Sequence, residues 1–144
     1  MSLQQILLFI HSWVRWLVLL VAVVALVRHV LGWLRRDNYD GAARGLLSAF
    51  SGLIDLNVLI GVIQLIAFWR SYSAAAGGFP MPQVEHLGAM LIAAIIAHLP
   101  ARLWKNSPDT NRYRNTALAI LVSVLVIIAG IMPLVGNRWV FRGL

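Results

Sequence analysis

The chain has 144 residues, of which 60% are hydrophobic and only 12% charged, and it contains no cysteine. A soluble domain carries about 25% charged residues, so the composition points to one membrane-embedded domain and away from soluble-enzyme chemistry. The formal charge of +7 falls mostly between apolar runs, which suits topology and anionic lipid rather than nucleic acid. The lack of cysteine excludes disulfides, thiolate metal sites, cysteine-ligated iron–sulfur clusters and covalent c-type haem.

A helix needs about 20 apolar residues to cross a hydrocarbon core of ~30 Å. Four segments qualify, so the expected fold is all-α, an integral membrane four-helix bundle in one domain over residues 1–144. The first span is 4–34. Its leading residues MSLQQILLF lack a basic region and a small-residue cleavage site, so they read as the start of a retained helix. Within it, FIHSWVRW places His11, Ser12 and Arg15 beside an apolar run. His11 and Arg15 are four apart and share a face. His29 follows His11 by five full turns, roughly 27 Å further along that face.

The second span, 46–69, carries Asp55, Asn57 and Gln64. RSYSAAAGGFPMPQ then reads as a loop rich in Gly, Ala, Pro and Ser. The third span, 84–104, opens with Glu85 and His86 and carries His98 near its end. Ala89, Ala93 and Ala97 form a small-residue stripe on it, which lets helices approach closely. His86 lies near that stripe on a helical wheel, whereas His98 points about 120° away. The fourth span, 116–134, is bounded by Pro133 and Gly136; with Ser123 as its main polar group, it reads as packing or lipid-facing scaffold.

Basic residues crowd the first and third connections, at Arg35, Arg36, Arg44, Arg102, Lys105, Arg112 and Arg114. Arg70, Arg138 and Arg142 lie on the other side. The positive-inside bias therefore puts both termini on the non-cytoplasmic side. Trp13, Trp16, Trp69 and Trp139 fall at the outer interface, with Trp33 and Trp104 at the inner one.

Ionisable groups are costly within a bilayer, so those present are the functional candidates. His11 and His86 both begin out-to-in spans, which puts two imidazoles at matching outer depth. With Ala22 and Ala25 on the His11 face, this arrangement suits a b-type haem held by His11 and His86 as metal ligands. Arg15 is then expected to pair with a haem propionate or with Glu85. A second, inner cluster of His29, Asp55 and His98 is expected to relay protons or bind a quinone headgroup, with Asp55 facing the bundle interior. The bland reading is that interfacial His and Arg snorkel or bond to backbone.

HSWVRW and VEHLGAM, with LIGVIQL in the second span, resemble a group of small four-helix bacterial membrane proteins. Those proteins carry His-Ser-x-x-Arg-Trp and Glu-His-x-x-x-Met patterns and are often labelled cytochrome b-like. The resemblance implies His11, Arg15, Glu85 and His86 as the core of a cofactor site. It also implies a multi-pass protein of the bacterial inner membrane. The chain departs from the familiar two-haem pattern, in which each of two helices carries histidines about a dozen residues apart.

Four functions compete. The first is a cytochrome b-like electron-transfer subunit, at most an oxidoreductase subunit, linked to quinone. The second is a cofactor-free accessory subunit of a respiratory or photosynthetic complex, since short loops and large apolar faces suit other membrane subunits or a homo-oligomer. The third is pigment binding through a single histidine. Transport is weakest, because no inverted repeat or broken-helix pair is visible.

Overall fold

The computed structural model describes residues 1–134 and is helical, with no strand among them. Five helices follow in order: α1 (Leu3–Arg35), α2 (Gly41–Ala67), α3 (Trp69–Ala76), α4 (Met81–Leu103) and α5 (Asp109–Ile131). All but α3 are long and apolar enough to cross a membrane. Gly136, Arg138, Trp139 and Arg142, which enter the expected terminus and topology, lie outside the described residues.

Local chemistry sets the helix ends. Ser2 and Gln5 form a reciprocal capping box at the start of α1. Arg36 ends α1 with a left-handed backbone, φ 57°. Asp40 caps α2 by accepting the Ala43 N–H at 2.8 Å. These caps explain why α2 begins before position 46. Likewise α5 begins at Asp109 and not at 116, because its polar first turns DTNRYRN remain helical. Hydropathy marks the hydrocarbon-crossing part of a helix, not its full length.

The middle connection is not wholly a loop. Its WRSYSAAA stretch forms α3, which Gly77 ends with φ 68°. Alanine favours helix, and only a glycine adopts the left-handed terminus without strain.

α1 packs on α2 and α5, and α4 packs on α5 and α2. The first and third spans of the sequence, α1 and α4, therefore face each other across the bundle diagonal instead of lying side by side. Val14, Val18, Phe50, Ile54, Met90 and Ile127 fill the space between them. Leu20, Leu59, Ile66, Ile95 and Leu125 point outward, as lipid contact requires.

The alanine stripe forms the α4–α5 seam. Ala93 and Ala97 are buried, Ser123 Oγ donates to the Ala93 carbonyl at 3.0 Å, and Gly130 lies against Ala89. Close approach of this kind drives helix association in lipid, where apolar burial gives no advantage. α5 is thus the most buried of the long helices, with 44% of its apolar window inside the bundle. It is a packing element of the core and not a lipid-facing one, which decides between the two roles expected of the fourth span.

Candidate functional site

A cavity of about 310 Å³ opens between α1, α2, α4 and α5 near the start of α1 and α4. His11, Ser12 and Arg15 reach it from α1, and Gln83, His86 and Met90 from α4. α2 contributes Asn57, Gly61 and Gln64. Their spacing of four and three residues puts them on one helical face. Tyr72 of α3 also lines the cavity, while Val18, Ile54 and Ile127 make apolar wall.

The His11 and His86 rings lie 6.1 Å apart between centroids and are inclined at 77°. Two imidazoles sharing one metal along a common axis, with bonds of about 2 Å, hold their centroids roughly 6 Å apart. The His11 ring packs against α2 at Gly61, where a Cβ would lie 3.4 Å from Cε1, an ordinary contact distance.

His86 is oriented from behind. Its Nδ1 lies 2.9 Å from the Gly130 carbonyl. A carbonyl only accepts, so Nδ1 carries the proton and Nε2 keeps its lone pair. Gly130 sits in the last turn of α5, where carbonyls have no partner within the helix. It reaches α4 because it lacks a side chain: a Cβ would fall 2.5 Å from that of Ala89.

Arg15 donates to Ser12 Oγ at 3.2 Å and lies 5.4 Å from the centre of the Trp16 ring. Cα–Cβ bonds tilt toward a helix's N-terminus, so the guanidinium reaches back toward the level of His11. Glu85 does not join it. One residue before His86, Glu85 is rotated about 100° away, is exposed and lines no part of the cavity. That corrects the expected Arg15–Glu85 pairing.

His11 Nδ1, Asn57 Oδ1, Gln64 Nε2 and Gln83 Oε1 are buried with no hydrogen-bond partner among the described residues. Each such group costs on the order of 1–3 kcal/mol. Their convergence on one cavity marks a space built to be filled. Asn57 and Gln64 were visible in the sequence, but their shared face with Gly61 was not used. Gln83, Tyr72 and Gly130 gave no sequence signal, since packing alone brings them to the cavity.

The expected inner cluster divides. His29 is fully buried, with Nδ1 2.6 Å from the Ala25 carbonyl and Nε2 3.1 Å from the Tyr39 hydroxyl. Burial pushes the Tyr39 phenol up from its ordinary range, so it stays protonated and donates to Nε2. Both His29 nitrogens are thereby used, and this histidine is a structural tie. His98 and Asp55 instead pair with one another at 2.9 Å, and both are exposed. Asp55 thus has the partner it requires but faces outward, not into the bundle.

No protein-family model, curated protein or solved structure matches this chain. The chemistry must be argued from the residues. No three His, Asp or Glu side chains converge among the described residues, whereas closed structural zinc sites take four protein ligands and catalytic ones three. A pair of imidazoles on one cavity is a donor set that could hold a haem iron. The orphaned His11 nitrogen, the second-shell carbonyl on His86 and the nearby guanidinium all fit that group.

Proposed function

We propose that this chain is a membrane-integral, cytochrome b-like electron-transfer subunit. In this reading it holds one b-type haem between His11 of α1 and His86 of α4. The observation that carries the reading is the separation of 6.1 Å between those two rings across the bundle diagonal. When bound, the haem supplies a one-electron carrier within the membrane. His11 and His86 would hold its iron through ring nitrogens. The Gly130 carbonyl fixes the His86 ring and raises its basicity as a ligand. Arg15 places a positive charge where a propionate needs one, and the amides of Asn57, Gln64 and Gln83 offer donors and acceptors around the cavity. Glu85, although part of the motif, stands outside this machinery.

The positive-inside bias supports a bacterial inner membrane orientation with both termini non-cytoplasmic. A periplasm-specific reporter fused after residue 144 is expected to be active, and activity of a cytoplasmic reporter there would reverse the orientation.

The test of function is a reduced-minus-oxidised spectrum of the purified protein. A sharp b-type band is expected, and it should be lost or converted in His11→Ala and in His86→Ala. A folded, colourless protein would sink this reading in favour of the cofactor-free accessory subunit. A chlorin spectrum would make it a pigment protein.

A further inference from the structure

The Asp55–His98 pair lies outside the cavity, on the outer surface of α2 and α4. Its side chains are 51% and 46% exposed, although Asp55 is in the middle of α2, twelve residues from its C-terminal end. An ionisable pair at this depth normally faces a bundle interior or a water-filled space. His98 itself lines a shallow surface groove along one face of α4, with Leu91, Ala94, Ile95, Leu99 and Arg102. Ala94 makes the dent between larger apolar neighbours, so the groove suits a narrow chain better than a flat helical face.

The tautomer follows from the geometry. His98 Nε2 lies 2.9 and 3.1 Å from the two Asp55 oxygens. An ionised carboxylate only accepts, so Nε2 carries a proton, and in the neutral imidazole Nδ1 then keeps a lone pair. The carboxylate thus orients an imidazole whose free nitrogen accepts a hydrogen bond from a ligand. A lipid-soluble ligand with a hydrogen-bond donor, such as a hydroxyl, complements that nitrogen.

We propose that Asp55 and His98 form a lateral binding site for a hydroquinone-type headgroup, with its apolar tail along the Leu91–Leu99 groove. A phenolic hydroxyl donates to His98 Nδ1 while Nε2–H remains bonded to Asp55. The oxidised quinone has only acceptors to offer, so it binds more weakly. The site stands on its own geometry and extends the electron-transfer reading by naming the class of its lipid-phase partner.

The test uses the full-length protein in lipid nanodiscs. The probe is a decyl-tailed benzoquinol kept reduced, compared with its oxidised quinone. Retention is measured against empty nanodiscs by equilibrium filtration. Saturable retention is expected, stronger for the quinol. Asp55→Asn and His98→Ala should each weaken it roughly tenfold to hundredfold, the range for losing a hydrogen bond in a charged network. Ala94→Leu, which leaves the pair intact but narrows the groove, should also weaken it. Retention equal to that of empty nanodiscs, or unchanged in all three variants, overturns the proposal. So does a disulfide between copies of Ala94→Cys, since the chain has no other cysteine and the face would then belong to a second copy. The haem spectrum of the same samples is read separately. A colourless protein that binds the quinol sinks only the electron-transfer reading, and a coloured one that does not bind it sinks only this site.

Discussion

The Gly130 carbonyl of α5 accepts the Nδ1–H of His86 on α4 at 2.9 Å. The bond exists because Gly130 lets the end of α5 lie against Ala89. Sequence neighbours could not supply it, since the two residues are 44 apart.

Gly130→Leu should therefore push α5 off α4 and free His86. The side chain has no space, because even a Cβ would meet Ala89 and Met90 at 2.5 and 2.8 Å. Overpacking of this kind costs about 1–3 kcal/mol. Thermal unfolding in detergent should show the loss of stability, and the haem-to-protein ratio should fall with it. Unchanged stability and haem content would refute the role given to this contact.

Arg15→Leu is expected to keep haem bound but to lower its midpoint potential. A positive charge near the iron favours the reduced state, and removing it shifts the potential down on the order of tens of millivolts. Glu85→Gln, on an exposed position of α4, should leave the potential unmoved. A redox titration of the two variants distinguishes the motif's working charge from its bystander.

Gly32→Ala tests the other end of the bundle. A Cβ there would fall 2.5 Å from the Tyr113 ring. Tyr113 cannot retreat easily: its hydroxyl donates to the Asn38 carbonyl at 3.1 Å, and its ring centre lies 4.8 Å from that of Tyr39. A destabilisation of about 1–3 kcal/mol is expected. Tyr113→Phe, which removes only the hydroxyl bond, should cost less, about 1 kcal/mol. Denaturant titration followed by helical signal checks the order.

Acid should weaken the α1–α2 connection through Asp40. The Ala43 N–H and then the Arg28 guanidinium, at 2.8 and 2.7 Å, hold its carboxyl below the ordinary aspartate range. Folding thus favours the ionised form. Its contribution is full above the unfolded value near 4 and is lost as pH falls through the depressed folded value. Asp40→Asn keeps a capping side chain but has no charge to lose. Its stability should decline less than that of the wild type between about pH 6 and about pH 3, and equal declines would rule the linkage out.

The spans were legible because each is a long apolar run, and the His11–His86 match in depth followed from counting along two helices that run the same way. The diagonal placement was not legible, since hydropathy does not order helices around a bundle. His29 was misread because its partner Tyr39 comes from a connection that folds back, with Arg28 bonding Asp40 across it. Asp55 and His98 are expected together in the inner cluster, but helical angles alone do not show that their shared surface faces outward. Asn57, Gly61 and Gln64 had a readable spacing, and only a cavity in front of them gave it meaning.

The diagonal also gives the site a place in the order of synthesis. His11 belongs to the hairpin of α1 and α2, and His86 to the hairpin of α4 and α5. Gly130 lies in the final turn of α5, the last helix among the described residues. As the chain emerges and inserts, the first hairpin presents one imidazole to an open face, and the second imidazole arrives unsupported. Only when α5 has entered the bilayer does the carbonyl that steadies His86 exist in place. Completion of the bundle and completion of the cavity are therefore the same event, so a chain stalled or truncated before α5 would lack both the Ile127 and Ile131 wall and the bond that orients His86.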